Sequence, residues 1–370
     1  MTNRVQGSAL HYFAEGNTAR GSVSLFDSSL QDLDRIYILK GSPGSGKSTL
    51  IQRIARTWRD RGYEVWLLHC ARDHTSLDGV IIPQLKAGIV DGTPPHVVEP
   101  RLPGAVEEYI HLSEAWDAHF LRQQRDQLMR IQDEIDRCYA EAYAGFAEAL
   151  QVHDEWEAIY IEHMDFAAAD RLAERYIELL FADKKRKEGP SRANHRFLGA
   201  ATPIGAVDYV PSLTRGLPRR YFIKGRPGSG KSTMLKRLAK EAGERGFDVE
   251  VYHCGFDPNS VDMIIVRELG LAVFDSTQPH EYHPERSGDT IIDMYTACIK
   301  PGTDERFAQR LQDIESRYRT KMKHSTQLLA EANRLHRKLE AIYSQAMDFN
   351  LVNQIREQIE KQLQEIANSL

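Results

Sequence analysis

Two stretches put a lysine and a small hydroxyl residue directly behind a run of glycines. They are ILKGSPGSGKSTL, residues 38–50, and FIKGRPGSGKSTM, residues 222–234. Each meets the pattern GxxxxGK[ST], through Gly41, Gly44, Ser45, Gly46, Lys47, Ser48 and Thr49 and again through Gly225, Gly228, Ser229, Gly230, Lys231, Ser232 and Thr233. Glycines let a backbone wrap an anion and aim its N–H groups inward. A helix opening at the lysine adds its positive N-terminus. Lys47 and Lys231 would reach the β- and γ-phosphates of a nucleotide, and the hydroxyls of Ser48 and Ser232 would ligate Mg²⁺.

Such a metal also wants an acid at the end of a neighbouring strand. Asp91 and Asp275 close the apolar runs AGIVD and LAVFD and complete the metal set Ser48, Asp91, Ser232 and Asp275. The alternative for either acid is a cap on the next turn. With the two lysines they are the catalytic candidates. No glutamate follows them to polarise water, since Gly92 and Ser276 stand there. Thr93, Thr277, His96 and His280 are shared nearby and read either as contacts to the γ-phosphate or its attacking water, or as structural residues.

Other candidates carry bland alternatives beside them. Asp73, Asp78, Asp257 and Asp262 lie behind the second strand of each half and read as acids for a phosphate acceptor or as turn and cap residues. His69–Cys70 and His253–Cys254 offer too few ligands for a metal. Arg101 and Arg286 are candidate arginine fingers. HYFAEGNTARG and HRFLGAATPIG, upstream of the first strand, would flank a base or ribose or form a simple edge element.

The elements that hold these residues occur twice. The offset between the loops, 225 − 41 = 184, also maps RGYEVWLLHC onto RGFDVEVYHC and IVDGTPPH onto VFDSTQPH. One slip later EAIYIEHMDF maps onto EAIYSQAMDF. The chain therefore reads as two copies, joined near KKRKEGPSR. In each, RIYILKG or RYFIKG is a buried strand, the loop follows, and an amphipathic helix ends at a glycine. YEVWLLHC and AGIVD, or FDVEVYHC and LAVFD, are further strands. Strand–helix–strand alternation argues a parallel sheet. Each copy then turns helical, with a long segment from Ser113 or Thr303 and a returning helix capped by Asp165 or Asp348. The expected fold is α/β, two tandem P-loop NTPase domains, each with a long helical hairpin extension. The divisions fall at 1–112, 113–188, 189–302 and 303–370. A kink is expected at Gly145. The arms read as packing on each other or on the α/β parts, or as a coiled coil for a partner or self-association.

Composition bounds the class. In 370 residues, 41% are apolar, 27% are charged and the net charge is −5. That balance offers no footprint for nucleic acid. No apolar run suits a membrane span. The start lacks a signal pattern, and four cysteines without CxxC spacing make no disulfide framework, so a cytoplasmic location is expected.

With its two loops, GFDP at residues 255–258 and FDSTQPHEY at 274–282, the chain resembles an uncharacterised bacterial family of tandem P-loop ATPases, loosely nucleotide-kinase-like. The resemblance spans the chain and implies P-loop NTPase folds and ATP binding, with no settled substrate. The first half departs from it, reading ARDH where the second has GFDP. No NKxD base-reading motif argues for a GTPase, and no LSGGQ for a transport ATPase. The leading expectation is an Mg²⁺-dependent ATPase that couples nucleotide state to arm movement. A nucleotide or small-molecule kinase and a non-hydrolysing, nucleotide-gated scaffold are the rivals.

Overall fold

The computed structural model describes residues 6–95 and 97–370. The first half opens with strand β1 (Ala9–Phe13), a hairpin of β2 (Glu15–Thr18) and β3 (Gly21–Ser24), and a one-turn helix α1 (Phe26–Ser29). Then come β4 (Arg35–Lys40), α2 (Lys47–Asp60), β5 (Val65–His69), β6 (Leu77–Ile82), β7 (Ala87–Asp91) and β8 (Glu107–His111). Helices α3 (Ala118–Gln123), α4 (Arg125–Glu162) and α5 (Phe166–Phe181) end it. The second half runs β9 (Ala193–Phe197), β10 (Gly199–Thr202), β11 (Gly205–Asp208), α6 (Val210–Leu213), β12 (Arg219–Lys224), α7 (Lys231–Glu244), β13 (Val249–His253), β14 (Val261–Val266), β15 (Leu271–Asp275) and β16 (Asp289–Asp293). It closes with α8 (Met294–Cys298), α9 (Thr303–Arg306), α10 (Ala308–Gln345) and α11 (Phe349–Ser369).

One twelve-stranded mixed sheet runs through both halves, in the order β16-β12-β15-β14-β13-β9-β1-β5-β6-β7-β4-β8. The seam is a single antiparallel contact, Phe13 opposite Phe197. The two halves thus lie side by side in a shared sheet. The expectation of purely parallel sheets is corrected by β6 and β14, which run antiparallel to both of their neighbours. β6 was hidden in the sequence because LDGVII carries Asp78 and Gly79 inside a strand, where neither residue is favoured. The upstream segment HYF is no edge element: β1 sits at the middle of the sheet, between β5 and β9.

The core shows why the helices form where they do. Leu50, Ile51, Ile54, Ala55 and Trp58 recur on one stripe of α2 and are all buried. They pack against the sheet and against Val352, Ile359 and Leu363 of α11, the last helix of the opposite half. Reciprocally, α5 of the first half packs Ala173, Tyr176 and Leu180 into the core around α7 of the second. The expected hairpins are therefore corrected. Each return helix leaves its own long helix and covers the loop helix of the other half.

The long helices α4 and α10 pair antiparallel with each other. Tyr139, Ala142 and Phe146 meet Leu329, Ala332 and Leu335, and Arg317 bridges to Glu155 at 2.6 and 3.1 Å. Each has 38 residues, about 57 Å of helix. Gly145 does not interrupt α4. A Cβ there would stand 2.3 Å from Ser325 Oγ of α10, so the glycine serves close helix approach rather than a kink. No helix among the described residues is long and apolar enough to cross a membrane.

Candidate functional site

Each glycine-rich loop joins a strand to a helix as its residues require. Gly44 and Gly46 have φ of +70° and +89°, and Gly228 and Gly230 have +75° and +86°, the left-handed region that glycine enters freely. Gly46 and Gly230 end the loops as the N-caps of α2 and α7. Ser45 Oγ ties the first loop by donating to the Ser42 carbonyl at 2.8 Å. The lysines fold back over the loops. Lys47 Nζ donates to the carbonyls of Gly41 and Ser42, both at 2.8 Å, and Lys231 Nζ to that of Arg226 at 3.0 Å.

Both strand-end acids stand beside these lysines, because β7 and β15 pair parallel with β4 and β12. Asp91 Oδ2 lies 3.6 Å from Lys47 Nζ, and Asp275 Oδ2 lies 3.5 Å from Lys231 Nζ. Their other oxygens accept from the backbone N–H of Thr93 at 2.9 Å and of Thr277 at 3.1 Å, and from both threonine hydroxyls. Each acid therefore caps a turn with one oxygen and faces the lysine with the other, and the threonines orient the acids. Ser48 Oγ and Ser232 Oγ accept from the N–H of Leu77 and Val261 at 3.0 and 2.9 Å, which fixes the hydroxyls at the helix starts. Hydroxyl and carboxylate oxygens are the hard donors that Mg²⁺ prefers. Thr49 and Thr233 follow inside the first turns of α2 and α7.

The sequence reading missed what lies across each loop. The helix covering it comes from the other half. A Cβ on Gly44 would meet the Glu340 carbonyl of α10 at 2.4 Å, and one on Gly228 would meet the Glu157 carbonyl of α4 at 2.6 Å. Ser344 Oγ donates to the Glu340 carbonyl of its own helix and lies 3.3 Å from the Gly44 carbonyl. Burial pushes the Glu340 carboxyl up, helped by Asp73 and opposed by Arg337 and Lys47. Glu157 is also pushed up, by burial and then by Asp154, against the pull of Lys231. One turn earlier, burial and the Lys231 charge push His153 down to about 4, and burial, Arg72 and Lys47 lower His336. Both imidazoles are thus held toward the neutral form. The signal was present in the repeat EAIY, residues 157–160 and 340–343, whose glutamates each lie 3.7 Å from the histidine one turn earlier.

The remaining candidates sort clearly. Asp73 is a turn residue, accepting from Thr75 N, Thr75 Oγ1 and Ser76 Oγ at 3.2, 2.7 and 3.0 Å. Asp257 likewise accepts from Asn259 N and pairs with Arg20 at 3.0 Å. Asp78 and Asp262 lie within β6 and β14, where burial and the nearby Asp275 push Asp262 up to about 6. Neither arginine-finger candidate lies at a loop lysine's recorded contacts. Arg101 pairs with Asp27 at the surface, and Arg286 is exposed, its backbone N–H bonded to Asp289. His280 is held by Asp208 at 2.8 Å, and that bond and charge outweigh the burial that would lower its pKa, raising it on balance. His96 lies outside the described residues. His69 and His253 bond to His11 and His195, both at 2.8 Å, and burial raises the thiols of Cys70 and Cys254 well above their usual value, which disfavours the thiolate.

Comparison with known proteins gives no guide: no family model matches the chain, and no curated protein or solved structure matches it.

Proposed function

We propose that the chain is a pair of tandem P-loop NTPase units that binds ATP with Mg²⁺ on each glycine-rich loop and hydrolyses it. Each site is completed by the long helix of the other half. The observation that carries this is the reciprocal approach of Glu340 to Gly44 and of Glu157 to Gly228, over a lysine that faces a strand-end acid. No acid follows Asp91 or Asp275 in the sequence, and each covering helix lays the main chain of a glutamate on the loop, with the loop lysine's charge acting on its carboxyl. The backbone N–H groups of each loop would hold the β- and γ-phosphates, and the lysine would leave its carbonyl contacts for them. Ser48 with Asp91, and Ser232 with Asp275, would hold Mg²⁺, which when bound screens the phosphate charge. Glu340 or Glu157 would orient the attacking water. α10 touches the first loop and α4 the second, so filling a loop would displace or engage its helix, and nucleotide state would become helix position.

Calorimetry with Mg²⁺ and a non-hydrolysable ATP analogue tests the reading. Two nucleotides per chain are expected, falling to one in Lys47→Ala and in Lys231→Ala. A count of zero, or one that neither substitution changes, overturns it.

A further inference from the structure

The two loops meet different residues on the helices that cover them. α10 lies against the first loop at two points: Asn333 Nδ2 donates to the Arg72 carbonyl at 2.9 Å, and Ser344 Oγ, whose proton goes to the Glu340 carbonyl, lies 3.3 Å from the Gly44 carbonyl. Asn333, Arg337, Glu340 and Ser344 follow at spacings of four, three and four, so they share a helix face. Arg337 and Glu340 therefore stand between those two points, over the gap between the glycine-rich loop and the turn after β5. The charge of Arg337 acts on Asp73 and Glu340. The side chain is exposed, and among the described residues it makes no hydrogen bond or ion pair.

α4 meets the second loop by the same approach, but with the opposite charge. The pair Arg337 and Glu340 corresponds to Asp154 and Glu157, since 337 − 154 and 340 − 157 both equal 183. The arginines near the second loop are already committed. Arg226, in the loop itself, is held by Asp304 at 2.8 and 3.1 Å, and Arg20 is held by Asp257 at 3.0 Å. On matching helix faces, an arginine without a hydrogen bond or ion pair among the described residues thus stands over the first loop and an aspartate over the second.

Resting on the nucleotide reading above, we propose that the two sites are unequal. Arg337, delivered from the opposite half, is the catalytic arginine of the first site, and Asp154 makes the second a site that holds nucleotide and turns it over slowly. In hydrolysis the water oxygen bonds to the γ-phosphorus while the bond from that phosphorus to the bridging oxygen breaks. ADP and phosphate leave, and the water's proton passes to the departing phosphate or to solvent. Arg337 forms no covalent bond; its guanidinium donates hydrogen bonds to the γ-oxygens as their charge spreads, a contribution that reaches about 10³–10⁵ in rate elsewhere. A carboxylate at the same position repels those oxygens.

The test traps the transition state on the full chain. ADP with aluminium fluoride mimics the phosphoryl group in flight and binds where the transition state is stabilised. The intact protein should bind two ATP analogues but trap one ADP–aluminium fluoride. Arg337→Ala should still bind two analogues, trap none, and lose at least about 100-fold in kcat. Arg337→Lys should recover little, because an ammonium lacks the planar fork, and Asp154→Arg should trap a second complex. Should Arg337→Ala lower the melting temperature, the trapping count in Arg337→Lys decides instead. Two complexes trapped by the intact protein, or Arg337→Ala turnover within about twofold of it, overturn the inequality while leaving the nucleotide reading in place. No analogue bound at all overturns both.

Discussion

At the residue scale the working unit is a lysine, a strand-end acid and a threonine behind it. Asp91 has two duties that one substitution separates. In Asp91→Asn the amide oxygen still accepts from Thr93 N, so the turn keeps its cap. The amide nitrogen then faces Lys47, and the charge that would hold Mg²⁺ is gone. We expect Mg²⁺-dependent phosphate release to fall by about two decades, roughly 3 kcal/mol of barrier, with the melting temperature of the nucleotide-free protein nearly unchanged. A large fall in melting temperature would mean that capping is the residue's only task. The loops and lysines were legible because their spacing is local, and the acids because each closes an apolar strand run, although strand pairing is what sets them beside the lysines. Glu340, Glu157 and Arg337 were not, because their partners lie across the molecule and helical spacing alone cannot say what a face meets.

At the element scale, two contacts set how rigidly the parts are held. The edge strand β16 is fastened to β12 by a buried bidentate pair, Arg220 Nε and Nη2 to Asp289 at 2.8 and 2.6 Å. The hydrogen bonds from Arg220 hold the Asp289 carboxyl down at about 2. A depressed acid stabilises the fold above its unfolded pKa near 3.9 and loses that contribution as pH falls through the folded value. Asp289→Asn should therefore destabilise the chain by about 3–5 kcal/mol at pH 7, leaving the Arg220 charge buried without its partner. The gap from the unsubstituted protein should narrow between pH 4 and pH 2. Equal gaps in denaturant melts at pH 7 and pH 2 would refute the assignment.

The close approach of α4 and α10 gives a second test at this scale. Gly145→Ala alone presses a methyl on Ser325 Oγ, a buried hydroxyl without a hydrogen-bond partner. Overpacking of this kind costs about 1–3 kcal/mol, against about 1 kcal/mol gained in helix propensity. Combined with Ser325→Ala, the clash and the unpartnered hydroxyl both go, and a Cβ at 145 then lies 3.7 Å from the 325 Cβ, an ordinary contact. The double variant should be more stable than either single one. Additive effects in the double-mutant cycle would show that the two residues do not touch. The sequence showed that these helices exist, through their spacing, and Asp165 and Asp348 do cap the return helices. It hid the choice of partner. Apolar stripes fit any complementary face, so nothing local told α5 to cover α7 rather than its own half.

At the scale of the whole molecule the exchange of helices makes the halves depend on each other. Val352, Ile359 and Leu363 of α11 cover the α2 core, so residues 1–188 alone would leave the apolar face of α2 open. Likewise, residues 193–370 alone would lack α5 over α7. Expressed apart, each half should aggregate or pair with itself. Expressed together, they should assemble one to one and release phosphate at near the intact rate. Two monomeric halves, each with half that rate, would show that the sites work alone.

On the nucleotide reading, the antiparallel helix pair would also link the timing of the two loops. Each helix starts at one site and ends at the other: Asp117 N bonds the Ala346 carbonyl at one end of the pair, and Asp165 N the Cys298 carbonyl at the other, both at 2.7 Å. The Gly145–Ser325 approach and the Arg317–Glu155 bridge oppose sliding within the pair, so a displaced pair would move as one rod. A rod displaced along its length advances over one loop by the distance it retreats from the other. Its two ends therefore keep opposite phase, like the ends of a shuttle, and the two loops would be engaged in alternation.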